Sequence, residues 1–277
     1  MGCKIAYAAG HCLTTAGKRL PKALDPNQTR EWVLNDRVAR AFAETARQYE
    51  GVELLRLDDA SGKAGNPVAT RAKKANAWGA DVLMEFHHNA GAKLTKAGGM
   101  VAFSHKNKTK GAELRDAVYA ACIRAGGLKG NRATPKKAKA YTILKNFKGA
   151  GVLLECGFMD SKADAPVILT EAYSRLVGYA AMEAVANMYG LKQNHQQMEV
   201  CNVELNILKN KDAGQQVRAM QILLEAADCK GKMDGKKYGS FGTKTEEALK
   251  LYQKKMGLPQ TGMCDGTTWA CLLGVSK

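Results

Sequence analysis

The chain has 277 residues, room for one large domain or for a medium and a small one. It is 45% apolar and 25% charged, the balance of a soluble globular protein. No apolar run approaches the roughly 18 residues that span a bilayer, and MGCKIAYAAGHC lacks the charged-then-apolar pattern of an export signal, so neither a membrane span nor a signal peptide is expected. A net charge of +16 favours an anionic partner, but the cations form no single run and are not interleaved with aromatics. That disfavours nucleic acid relative to an anionic cell-wall or membrane surface.

In chain order, KIAYAAG (4–10) reads as a first core strand, followed by a loop holding Pro21 and Pro26. REWVLNDRVARAFAETARQY places Val33, Leu34, Val38, Ala41, Phe42 and Ala46 at helical spacing. VELLRLD (52–58) is a short strand, and the polar loop after it holds Gly62, Gly65 and Pro67. ATRAKKANAWG is a helix that stops at Gly79, DVLMEFH a continuous apolar strand, and GGMVAFS the next strand. KGAELRDAVYAACIRAG sets Leu114, Val118, Ala121 and Cys122 on one helical stripe. YTILKNF and GVLLECG read as two more strands, and ILTEAYSRLVGYAAMEAVANMYG as a long helix. This alternation predicts an α/β domain over 1–190, with a twisted, mostly parallel sheet flanked by helices.

The polar, Gln- and Asn-rich stretch 191–204 breaks the pattern and reads as a linker. Residues 205–277 form a small all-α domain of three helices, carried by QQVRAMQILLEAA, TKTEEALKLYQKKMG and the end of LPQTGMCDGTTWACLLG. The eight cysteines include no CxxC and have irregular spacings, so reduced thiols are expected, with Cys122 and Cys156 in the core. Pairing among the four C-terminal cysteines stays open.

In an open α/β sheet, chemistry gathers at the carboxyl ends of the strands. The first strand ends in Gly10-His11, DVLMEF ends in His87-His88-Asn89, and GVLL ends in Glu155-Cys156-Gly157, while Glu31 opens the first long helix. Two histidines, one carboxylate and an open position suit a catalytic zinc, and a second carboxylate can serve as general base. A cluster of this kind can equally be a structural ion-pair network. Glu155 is the hardest to read as structural, because it interrupts an apolar run where an unpaired carboxylate is costly.

Four segments in order resemble the zinc-dependent N-acetylmuramoyl-L-alanine amidases of phage endolysins and bacterial autolysins: AGH, EWVLND, RAKKANAWGADVLMEFHHNA and GVLLECGFMDS. The resemblance implies His11, Glu31 and His87 as Zn2+ ligands and Glu155 as the catalytic base. It implies cleavage of the amide between N-acetylmuramic acid and L-alanine in peptidoglycan. Asn35, at the fourth position after Glu31, also follows the family pattern, whereas Cys12 replaces a usual glycine and Glu85 a usual serine. Strand alternation puts Leu83, Glu85 and His87 on one face and Met84, Phe86 and His88 on the other. His88 is therefore expected to pack or to line the crevice rim, and Glu85 to support His87 or pair with a nearby cation. Arg71 and Asn89 are expected to be structural.

The tail resembles the three-helix peptidoglycan-binding domain found beside wall hydrolases. The matching residues include Gln215-Gln216-Val217-Arg218-Ala219-Met220-Gln221, Phe241-Gly242, Tyr252-Gln253, Thr261-Gly262 and Thr267-Thr268-Trp269, while a KKY insertion after Asp234-Gly235 departs from it. Trp269 and Leu272 are expected in its core. The resemblance implies bacterial peptidoglycan as partner, with anionic wall polymers a possible second one. With no signal peptide read, an endolysin made in the cytoplasm and acting at the wall is expected. The alternative is a non-catalytic wall-binding protein with a degenerate metal site.

Overall fold

The structure, a computed structural model, describes residues 2–194, 205–229 and 238–274. Most of the expected linker, Cys201, the Asp234-Gly235 turn and the first two residues of the KKY insertion lie outside the described residues. The chain divides into two compact units, 1–196 and 197–277.

In the first unit, β1 (Cys3–Ala9), β2 (Val52–Arg56), β3 (Val82–Asn89), β4 (Val101–Ser104), β5 (Lys136–Ala138) and β6 (Ala150–Phe158) form one sheet in the order β2-β1-β3-β6-β4-β5. All neighbours run parallel except β4 against β6, so the sheet is mostly parallel as the alternation implied. β1, β3 and β6 are buried on both faces, which is why they read as nearly continuous apolar runs.

Helices α1 (Glu31–Ala46), α3 (Thr109–Arg124) and α6 (Glu171–Tyr189) supply one side of the core, where Val38, Phe42, Leu114, Val118 and Val177 meet Met84, Phe86 and Leu154. On the other face, α2 (Val68–Trp78) and α4 (Thr142–Asn146) bring Ala72, Ala75, Ile143 and Leu144 against Leu83 and Leu153. Gly79 ends α2 in the left-handed conformation (φ 76°), which a residue with a Cβ adopts only at a cost. The chain leaves β1 toward β2 on one side, and β3 lies on the other. The β1/β3 boundary is thus a switch point, and the ends of β1, β3 and β6 open on one crevice.

Two segments depart from the sequence reading. YTILKNF is no strand: it forms α4, because Ile143, Leu144 and Phe147 recur at helical spacing and bury one stripe. A short apolar run does not separate the two periods. The edge strand of this region is instead β5, Lys136–Ala138, whose three residues are all exposed and so carry no hydrophobic signature. The long helix forms as expected but starts three residues later. A short α5 (Ala165–Ile168) precedes it, and α6 starts after Thr170, whose hydroxyl accepts the Tyr173 N–H.

The second unit holds α7 (Gln215–Ala226), α8 (Thr243–Lys255) and α9 (Gly266–Leu272) around Val217, Met220, Leu224, Phe241, Leu249, Tyr252 and Trp269. Trp269 is buried, and its indole N–H donates to the Asn206 carbonyl at 3.0 Å, so it packs as expected. Leu272 is partly buried against the same core. Gln253 explains several of the motif residues at once. Its amide donates to the Met263 carbonyl and to the Thr261 and Thr268 hydroxyls, and it accepts the Gly262 N–H. Gln221 does the same for the turn before α8, donating to Ser240 and Thr245 and accepting from Gly239. These polar residues satisfy buried backbone and specify loops.

Candidate metal centre

At the end of β1 the Gly10 N–H donates to the Phe86 carbonyl, and the next residue, His11, sits at φ 65°. A non-glycine residue in the left-handed region is a strained choice that turns the imidazole over the sheet edge. Glu31, the first residue of α1, is fully buried. Its Oε1 lies 3.4 Å from His11 Nε2 and 3.2 Å from His87 Nδ1. The same oxygen accepts the His88 backbone N–H at 3.2 Å and the Asn35 side-chain amide at 3.4 Å. Asn35 also donates to the Gly10 carbonyl at 3.0 Å, tying the α1 start to the β1 end. One ligand atom from each of His11, Glu31 and His87 lies within 4.8 Å of the others, so residues distant in sequence meet at one point.

The carboxylates and imidazoles at this point set one another's proton affinities. Burial alone would raise the Glu31 carboxyl. The hydrogen bond from His87 and the charges of His87, His11 and Lys18 outweigh it and hold the group at about 2. Burial would likewise lower His87, but its contacts with Glu31 and Glu85 and the charge of Glu155 lift it to about 10. His11 goes the other way, pushed down to about 4 chiefly by burial. Glu31, Glu85 and Glu155 surround His87; Lys18 and Arg71 pair with the first two, yet each of the three retains a buried oxygen without a hydrogen-bond partner. Such orphaned acceptors beside two imidazoles fit a divalent cation, and the His-Glu-His donor set fits zinc with a position left for solvent.

Glu155 lies across the ladder from His87 in the parallel β3–β6 pair. Burial pushes its carboxyl up. The positive charge of His87 opposes this, the charge of Glu31 adds to it and Lys18 offsets it, leaving the group at about 7. His88, on the opposite face, is buried with Nδ1 2.8 Å from Asn35 Oδ1, and burial lowers it to about 4. It holds Asn35 rather than facing the crevice. Asn89 borders the crevice, but its side chain accepts the Ala90 N–H, a local turn contact. Arg71 donates to Glu85 Oε2 at 2.8 Å, both side chains being buried.

His11, Arg71, Glu85, His87 and Glu155 line a crevice of about 760 Å³ together with Tyr141, Ile143 and Leu153. Lys18, Asp58 and Tyr141 belong to it and were not singled out from sequence. Lys18 sits in a loop without periodicity, and its Nζ is 3.4 Å from Glu31 Oε2. Asp58 accepts the Ala9 N–H and pairs with Arg56. Tyr141 was hidden in the misread YTILKNF segment.

Residues 5–187 match the N-acetylmuramoyl-L-alanine amidase family, and residues 213–272 match a peptidoglycan binding domain family. The fold is similar to the catalytic domain of CwlV, an N-acetylmuramoyl-L-alanine amidase from Bacillus (Paenibacillus) polymyxa var. colistinus, with TM-score 0.60 and 15% identity over 69% of this chain and 99% of that one. It is similar to an N-acetylmuramoyl-L-alanine amidase from Clostridium difficile 630, with TM-score 0.61 and 19% identity over 68% and 97%. It is also similar to the N-acetylmuramyl-L-alanine amidase Ami1 from Mycobacterium smegmatis, with TM-score 0.59 and 14% identity over 68% and 97%. No curated protein matches the chain. Among the described residues no helix is long and apolar enough to cross a membrane.

Proposed function

This chain belongs to the N-acetylmuramoyl-L-alanine amidase family and is a peptidoglycan hydrolase of that type, and on that premise we propose that His11, Glu31 and His87 hold a catalytic zinc ion while Glu155 acts as general base. The observation that carries the reading is the meeting of three ligand atoms within 4.8 Å beside a carboxylate held near neutrality by burial. When bound, zinc would act as a Lewis acid on the scissile carbonyl and lower the pKa of water to about 7. Glu155, with its proton affinity set near the working pH, accepts the proton of the attacking water and returns it to the leaving nitrogen. The C–N bond between the lactyl carbonyl of N-acetylmuramic acid and L-alanine breaks, freeing a carboxylate and an amino terminus. Tyr141, Ile143 and Leu153 add apolar surface to the crevice on which the substrate can pack.

Digestion of purified peptidoglycan is expected to yield new L-alanine amino ends with intact glycan strands, read by mass spectrometry. A chelator should stop the reaction and added zinc restore it. Cleavage within the glycan or the stem peptide would refute the bond assignment, and full activity in excess chelator would refute the metal.

The domain boundaries are part of the same proposal: 1–190 cuts, 205–277 holds the wall, and the segment between them tethers. A wall-bound tail raises the effective concentration of the catalytic unit at its polymer without a new catalytic contact. Charge adds to this. Residues 101–150 carry 12 Lys and Arg against only Glu113 and Asp116, and Asp116 is already paired with Arg115 and Lys136. This stretch includes the exposed strand β5, with Lys136 and Lys137. Binding to walls bearing anionic polymers should therefore weaken by about tenfold as salt is raised, because attraction of this kind is screened. Sedimentation of protein with walls at graded ionic strength measures it, and a flat profile would remove the electrostatic part.

A further inference from the structure

The family resemblance leaves Glu85 unexplained, since a serine is usual there. The chain instead commits a carboxylate with no exposure to the middle of a hydrophobic sheet face, between Leu83 and His87. An unpaired carboxylate there would be strongly destabilising, and Arg71, from α2, answers it with a 2.8 Å contact. The pair does more than neutralise itself. Glu85 Oε2, the oxygen that Arg71 binds, also lies 3.6 Å from His87 Nε2. The other ring nitrogen, Nδ1, is the one aimed at Glu31 and the ligand cluster. His87 is therefore bracketed, with one nitrogen toward the metal position and the other toward a carboxylate clamped by a guanidinium.

We propose that Glu85, anchored by Arg71, is a positioning residue for the metal centre. It accepts the Nε2 proton of His87 and so keeps the Nδ1 lone pair directed at the cation. The inference rests on the metal reading above. A carboxylate behind a ligating imidazole fixes ring orientation and tautomer and raises ligand basicity. Serine is a shorter and weaker acceptor, and at this position it would leave Arg71 without its partner. Glutamine can set its single oxygen where Oε2 stands, toward both Arg71 and Nε2, but as a neutral and therefore weaker acceptor.

The test uses the full chain and zinc itself. Zinc affinity is measured by competition with a chromogenic chelator for the wild type, Glu85→Gln and Glu85→Ser. Nitrogen NMR of the zinc-loaded protein reports which ring nitrogen of His87 carries the proton, and thermal midpoints in chelator report folding without metal. Both variants should bind zinc about 10- to 100-fold more weakly. In the wild type the His87 proton should reside on Nε2, and in Glu85→Ser, which withdraws the acceptor, that signature should be lost. Arg71→Lys, which retains a cation for Glu85, should recover more affinity than Arg71→Ala. Variants that bind zinc within twofold of the wild type, or a His87 that coordinates through Nε2, would overturn the positioning role while leaving the metal centre standing. A variant whose only defect is a lower midpoint in chelator would reduce Glu85 to a structural ion pair. Failure of the wild type to bind zinc would instead overturn the metal reading, and this inference with it.

Discussion

Glu155→Gln is expected to reduce amidase turnover by about 10²- to 10⁴-fold while leaving zinc content and folding unchanged. Glutamine keeps the length and shape of the side chain but accepts no proton, so it isolates the proposed proton transfer from substrate packing. Stability should not suffer, for a reason visible in the site. Glu155 Oε2 is buried without a hydrogen-bond partner, so no protein group is stranded when the carboxylate goes. A neutral amide is also cheaper to bury than a carboxylate, so the variant should melt at the same temperature or slightly higher. Dye release from labelled walls, zinc stoichiometry and a thermal midpoint make up the measurement. Activity within threefold of the wild type would remove Glu155 as the base, and loss of zinc would make it a ligand instead.

How far the site could be read from sequence depends on what kind of information placed each residue. His11, Glu31, His87 and Glu155 each stand at the end of a strand or the start of a helix, and strand ends converge by topology once a parallel sheet is inferred. Period-two alternation then assigned His87 and His88 to opposite faces, and the structure separates them in that way: His87 toward Glu31, His88 onto Asn35. Lys18 had no such handle. It is brought to Glu31 by a loop, through a backbone bond from the Glu31 N–H to the Lys18 carbonyl, and loops carry no periodicity. The misread Tyr141–Phe147 segment failed for a different reason: five helical residues are too few to distinguish helix from strand by their apolar spacing. The strand that does form the sheet edge, Lys136–Ala138, is exposed and lysine-rich. Such residues blunt an edge against pairing with another chain, and the same property hides the strand from a hydrophobic reading.

A single methyl group should be enough to disable the centre. A Cβ added to Gly10 would lie 2.1 to 2.4 Å from Cε1, Nε2 and Nδ1 of His87, so the imidazole occupies the space a side chain would need. The ring cannot stay where it is. His87 is held by β3 between β1 and β6, and the feasible response is rotation of its side chain away from Glu31 and His11. Gly10→Ala should therefore weaken zinc binding by at least about 100-fold, the scale on which mispositioned ligands lose affinity, and activity should fall with it. The fold should survive. Gly10, unlike His11, does not lie in the left-handed region, and alanine at a compatible backbone position stabilises by about 0.4–1 kcal/mol through the unfolded chain. Two melting curves separate these effects. In chelator the variant should still melt cooperatively but somewhat below the wild type, because the displaced ring gives up its contacts with Glu31 and Glu85 and the gain from the unfolded chain offsets only part of that. With free zinc 1,000-fold above the wild-type Kd the wild type should gain about 4 kcal/mol, whereas a variant that binds 100-fold more weakly should gain only about 1.4 kcal/mol. An equal zinc-dependent rise in both proteins would mean that the His87 ring is not a ligand, since its displacement would have cost nothing.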